Sequence, residues 1–259
     1  MHQASNNTGV NMIQSQNQKL NFILSFVIFI IALILQVFLF GFIQLFFQEL
    51  SGWQFDQMGQ IVSYGAIWGI WVGLIITEVM LGVIVLIIFY FRGISTKDLF
   101  KKSEFKLYYI FIGISLAYIV GTGASIIQYL IMTIFQLQYP ESITVLTEFL
   151  TPKNAFEVIV WIAIMFGVVA PCEELFARGL LQKGFDNSLK NKKNGHLLAI
   201  IFSSVCFTIF HIDPFRFFPI FCESLVISYV YYKTDDLLSV ILIHAFLNSF
   251  IIALSMLGI

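Results

Sequence analysis

Charge is what this sequence has least of. Only 11% of its 259 residues are Asp, Glu, Lys or Arg, against 59% hydrophobic, whereas a soluble domain carries about a quarter charged residues. An ordinary water-soluble globule is thereby excluded. A basic excess is also missing. The formal net charge is -1, and no stripe of Lys or Arg is present to neutralise phosphates, which sets nucleic acid aside as a partner. Cysteine is scarce: Cys172, Cys206 and Cys222 all fall within apolar stretches, at spacings that give neither a disulfide scaffold nor a zinc knuckle.

What the chain does have is long apolar runs, at 22–47, 65–91, 107–135, 158–182, 197–212, 217–232 and 237–257. A run of about 18 or more residues crosses a hydrocarbon core of about 30 Å at about 1.5 Å per helical residue. The expected fold class is therefore all-α, a polytopic transmembrane helix bundle of about seven spanning helices. Its expected divisions are a polar tail (1–20), three scaffold helices (21–156) and a core (157–259) that holds the polar membrane residues. The tail leads into an apolar run much longer than the hydrophobic part of a signal peptide, so an uncleaved tail and a first spanning helix are expected.

Lys and Arg gather in alternate loops. Lys19 precedes the first run, Arg92, Lys97, Lys101, Lys102 and Lys106 separate the second from the third, and Lys183, Lys190, Lys192 and Lys193 separate the fourth from the fifth. The positive-inside rule then places the N-terminus in the cytoplasm, in what is expected to be a bacterial cell membrane. Small residues recur at four-residue spacing as Gly65, Gly69 and Gly73, and again as Gly113, Ala117, Gly121 and Ser125. Such faces let helix backbones approach closely in lipid.

Ionisable groups inside the hydrocarbon cost about 2.5–3.5 kcal/mol each on insertion scales, so each one points to function. They cluster late in the chain, in Ala170-Pro171-Cys172-Glu173-Glu174-Leu175-Phe176-Ala177-Arg178-Gly179, in Phe207-Thr208-Ile209-Phe210-His211 and in His244-Ala245-Phe246-Leu247-Asn248. Glu174 and Arg178, four apart, share a helix face and are expected to form an ion pair. Glu173 lies about 100° away from Glu174 around the helix, which frees it to face a cavity as a base. His244 and Asn248, also four apart, place an imidazole beside an amide donor. Pro171 is expected to kink its helix. Glu78 and Glu223, met singly, read as satisfied interhelical hydrogen bonds. Cys172 beside Glu173 suggests a thiol nucleophile with His211 as base, but a free cysteine in an apolar helix behaves as a small hydrophobe.

The ordered set Glu-Glu-x-x-x-Arg, Phe-x-x-x-His and His-x-x-x-Asn, each on its own spanning helix, resembles the motifs of the CAAX protease and bacteriocin-processing family of intramembrane endopeptidases. The resemblance runs over 158–252 and takes in Tyr231-Tyr232-Lys233-Thr234. It implies a membrane protease. It further implies that Glu173 and His211 activate water, that His244 and Asn248 stabilise the oxyanion, and that Glu174 and Arg178 support them. Ala177, Ser224, Ser228 and Val240 depart from residues usual in the family, all outside those six positions. The partner implied is a membrane-associated peptide or protein within the bilayer.

The chemistry is coherent on its own terms. Peptide hydrolysis needs a base to deprotonate water, and a carboxylate held away from water is a stronger base. It also needs donors aimed at the developing oxyanion, each worth about 2.7–4 kcal/mol to the transition state. Relatives are labelled metalloproteases, and a zinc ion on Glu173, His211 and His244 would match a His/His/Glu site in ligand type. The chain has no His-Glu-x-x-His pair, and the leading expectation needs no cofactor. Helical rise puts Glu173 about 15 Å from the end at Lys183, His244 about 12 Å from Asp236 and His211 about 22 Å from His196, and the cavity is expected to open towards the cytoplasm. Two other classes stay open: a proton-coupled carrier, which predicts inverted repeats not found in the chain, and a non-catalytic peptide-binding immunity protein.

Overall fold

The computed structural model describes residues 20–56, 61–100, 107–137 and 151–256. Apart from Leu20, the polar tail lies outside the described residues, as do Lys101, Lys102 and Lys106. In lipid no water is present to satisfy backbone groups, so apolar stretches of this length close their hydrogen bonds internally as helices. Seven form among the described residues: α1 (Phe22–Leu50), α2 (Trp68–Phe91), α3 (Leu107–Ile134), α4 (Ala155–Leu189), α5 (Gly195–Phe210), α6 (Phe217–Thr234) and α7 (Leu237–Ser255). A short antiparallel hairpin, β1 (Gln54–Phe55) with β2 (Ile61–Ser63), joins α1 to α2.

Five of the helices, α1 to α4 and α7, are long and apolar enough to span a membrane, which makes the chain an integral membrane protein. The apolar α5 is shorter, at 16 residues. The 18-residue α6 is diluted by Glu223, Ser224, Ser228 and Lys233. Local capping fixes several starts. Asn21 accepts from the amide of Leu24 at 2.9 Å. Asn154 and Glu157 bond reciprocally, with Glu157 N donating to Asn154 Oδ1 at 3.0 Å and Asn154 Nδ2 to Glu157 Oε1 at 2.8 Å. Asp236 accepts from both the amide and the hydroxyl of Ser239. Each satisfies donors that the first helical turn leaves free.

The helix ends sort into two levels. Phe22 N donates to Ser188 Oγ at 2.9 Å, Leu99 and Phe89 lie against Gly179, and Lys183 reaches Asp235 at 3.8 Å. The start of α1, the end of α2, the end of α4 and the α6–α7 turn therefore share one end of the bundle, which also carries the lysine-rich loops. The hairpin, the start of α4 and the loop 211–216 lie at the other.

Small residues mark the close helix approaches. Gly69 and Gly73 of α2 face α1, where a side chain on Gly69 would strike Phe47 O and Ser51. Gly113 faces Ile243 of α7 and Val230 of α6, and Gly121 faces Glu223 of α6. Gly65 differs from expectation: it precedes α2 and packs on Trp53. Gly69→Val should lose about 1–3 kcal/mol, as overpacked sites do, and this will read as a lower Tm in detergent.

The helix α4 departs most from regular geometry. It is π-helical over Met165–Val169, α-helical over Ala170–Glu174, and π-helical again over Leu175–Gln182. Pro171 has no amide to donate and stands in the first turn of the middle segment, where the preceding wide turn accommodates it. A third π-helical stretch, Gln36–Phe40, lies in α1.

Candidate active site

The Glu-Glu pair sits between the two wide turns of α4, and both carboxylates are buried. Arg178 Nε lies 3.1 Å from Glu174 Oε2, and neither side chain reaches solvent. The expected ion pair is present. Its surroundings explain how the charge is tolerated: Arg178 Nη2 donates to Ser224 Oγ at 3.1 Å and to the Ser224 carbonyl at 3.3 Å, and the guanidinium stacks 4.8 Å from the Phe207 ring. One turn on, Gln182 Nε2 donates to the Ser228 carbonyl at 2.9 Å, while Ser228 Oγ meets Ser204 Oγ of α5 at 3.1 Å. The two serines that depart from the family's glycines thus tie α4, α5 and α6 together beneath the site.

Glu174 has a second partner that helical spacing could not give. Its Oε1 lies 2.7 Å from His244 Nδ1. A carboxylate already paired with arginine accepts, so Nδ1 donates to it and Nε2 is turned towards Glu173, whose Oε2 is 3.5 Å away and makes no hydrogen bond. The imidazole is thereby oriented by Glu174 and presented to Glu173. Among the described residues no hydrogen bond or ion pair joins Glu173 to His211.

His211 caps α5. Its Nδ1 lies 2.8 Å from the Phe207 carbonyl, and a carbonyl only accepts, so Nδ1 is the protonated nitrogen and Nε2 keeps its lone pair. Ile212, the next residue, has φ 53°, a strained conformation for a β-branched side chain that ends the helix abruptly. Phe207 lies edge-on to both His211, at 4.7 Å, and His244, at 5.9 Å, so the Phe of Phe-x-x-x-His holds both rings. Asn248, one turn beyond His244, has Nδ2 3.8 Å from Met165 Sδ.

Glu173, His211, His244 and Asn248 all line one cavity of about 500 Å³, within the range of small-ligand sites. The first three helices are more than scaffold, because Gln36 and Gln44 of α1, Glu78 of α2 and Ser125 of α3 complete its walls. Glu78 is not the satisfied interhelical contact expected of it. It is buried, and its Oε2 has no hydrogen-bond partner. Glu223 also lines the cavity, against Gly121. Cys172 lies outside it, against Gly82 of α2, away from His211.

The cavity does not lie where depth counting put it. On α4 it is lined by Met165, Val169 and Glu173, and on α7 by residues from His244 to Ile252. On α5 only the last turn contributes, and on α6 the stretch from Arg216 to Ile227. Every wall runs from the level of Glu173 and His244 away from the lysine-rich end. The greater distance of His211 from the lysine-rich end reflects its place at the far end of α5.

As the side chains stand, no three His, Cys, Asp or Glu among the described residues are grouped to hold a metal ion. Nδ1 of His244 is held by Glu174 and Nδ1 of His211 by a carbonyl, the arrangement that orients a metal-ligating imidazole, so Nε2 of each ring, with Glu173, would be the ligands of a zinc ion.

A buried carboxylate and two imidazoles thus share one cavity inside the bundle. Residues 155–250 match the family model described as type II CAAX prenyl endopeptidase Rce1-like, which bears out the resemblance read from the three motifs and indicates a protease. The match covers α4 to α7 and stops short of α1 to α3. No curated protein and no solved structure matches the chain.

Proposed function

We propose that the chain is an intramembrane endopeptidase that hydrolyses a peptide bond of a membrane-associated peptide or protein, with Glu173, His211, His244 and Asn248 as its catalytic residues. The observation that carries the proposal is the convergence of these four side chains, from α4, α7 and the end of α5, on one cavity within an apolar bundle.

Water enters between Glu173 and His211. Glu173 takes its proton while the free Nε2 of His211 orients it, and the oxygen attacks the scissile carbonyl carbon. Negative charge grows on the carbonyl oxygen, which accepts from Asn248 Nδ2 and from the Nε2–H of His244, whose ring carries both protons as an imidazolium between Glu174 and Glu173. As the C–N bond breaks, Glu173 returns the proton to the leaving amine. Glu174 and Arg178 act through His244, holding its ring in register. Substrates in keeping with the family are a prenylated C-terminus, a bacteriocin precursor or a peptide signal.

The test is cleavage of such peptides by the purified protein in liposomes, before and after strong chelation. Activity that survives chelation is the expected result. Loss restored by added zinc would replace the glutamate route with a metal held by Glu173, His211 and His244. Absence of cleavage across all three substrate types would return the protein to a peptide-binding or carrier role.

A further inference from the structure

The cavity and the charge of the loops point in opposite directions along the bundle. Arg92, Lys97, Lys183, Lys190, Lys192, Lys193 and Lys233 all lie at one end, and the chain joining α2 to α3 adds Lys101, Lys102 and Lys106 in sequence. At the other end the described basic residues are Lys153 and Arg216, and Arg216 is neutralised by Asp213, with Nε 2.6 Å from Oδ2. Such an imbalance sets orientation in a membrane, with the lysine-rich end in the cytoplasm.

The catalytic groups form the floor of a cavity that extends only the other way. Arg216, whose side chain is 42% exposed, stands on its wall at the loop 211–216, so the cavity reaches the surface at the lysine-poor end. Towards the lysine-rich end the path is closed by fully buried packing of Phe176, Leu180 and Leu181 with Ile243 and Val240. The Ser204–Ser228 and Gln182–Ser228 contacts close it on the α5 and α6 side.

We infer that the site is fed from the non-cytoplasmic face of the membrane, and that its substrate class is an exported peptide or the outer end of a membrane-anchored segment. This rests on the protease reading proposed above for the same cavity. The walls contributed by Leu74, Ile220, Ile227, Leu247, Ile251 and Ile252 are apolar. They suit an extended apolar stretch lying next to the bilayer rather than a freely soluble chain.

The experiment is thiol accessibility in intact cells. In a full-length protein with Cys172, Cys206 and Cys222 replaced by Ala, Ile220→Cys places a thiol on the cavity wall, Ser125→Cys places a second from α3, and Lys192→Cys marks the lysine-rich end. A membrane-impermeant maleimide is added before lysis. The expected result is labelling of Ile220→Cys or Ser125→Cys in intact cells, with Lys192→Cys labelled only after permeabilisation. Labelling of Lys192→Cys in intact cells, or of the wall positions only after permeabilisation, overturns the inference. Failure of both wall positions to label even in permeabilised cells overturns it as well, by showing no open path. Labelling does not depend on catalysis, so the two readings fail separately. Outer access without cleavage by the purified protein sinks the protease reading alone, and cleavage combined with access from the cytoplasmic side sinks this inference alone.

Discussion

Purified Glu173→Gln protein is expected to accumulate like the unaltered chain and to cleave at background rate. The side chain keeps its shape and its place beside His244, but an amide cannot take the proton of the attacking water. A positioned general base contributes about 10²–10⁴-fold, and no other described carboxylate touches both His244 and the cavity floor. His211→Ala should lose activity on a similar scale, because the lone pair that orients water disappears while the cap of α5 stays formed by the backbone. Asn248→Ala removes one oxyanion donor and should lower turnover by about 100- to 1,000-fold with substrate binding retained. Single-turnover kinetics alongside a binding measurement separate these effects. Full turnover in the Glu173→Gln protein would eliminate the proposed mechanism.

The helices themselves were written in hydropathy. The run at 217–232 became α6 over Phe217–Thr234, and the run at 107–135 became α3 over Leu107–Ile134. The fourth run, 158–182, is shorter at both ends than α4. Its start depends on the Asn154–Glu157 cap, and its end, Lys183–Leu189, is polar on one face and so carries no apolar signal. Spacing within one helix correctly paired Glu174 with Arg178, a contact the chain makes locally. It could not pair Glu174 with His244, 70 residues away, since nothing in one helix reports the rotation of another. The same blindness hid Glu78 and Gln44 in the cavity wall and showed Ser224 and Ser228 only as departures from the family, whereas they brace α4 against α6. Pro171 was the visible trace of the π turns, yet a proline announces irregular backbone without saying whether it will bend the helix or widen it.

Arg178→Ala should sharply reduce folded protein in the membrane. The guanidinium is fully buried and has Glu174, Ser224 and the Phe207 face as partners. Removing it leaves Glu174 as a buried charge with only His244 beside it, a loss of about 3–5 kcal/mol where a buried pair is broken on one side. Marginally stable proteins rarely tolerate that. Glu174→Gln strands the arginine instead and should be destabilising to a comparable degree, but it also loosens His244, so whatever protein folds should turn over more slowly. The paired replacement Glu174→Gln with Arg178→Met removes both charges and fills the space with an apolar chain. It should recover much of the lost stability, since a buried ion pair is often replaceable as a unit. Turnover should not recover with it, because His244 still lacks the carboxylate that sets its ring. Thermal melts in detergent, read beside cleavage rates, divide the two roles. If the paired replacement restores activity as well as stability, Glu174 does not position His244, and the link between the ion pair and the catalytic imidazole is lost.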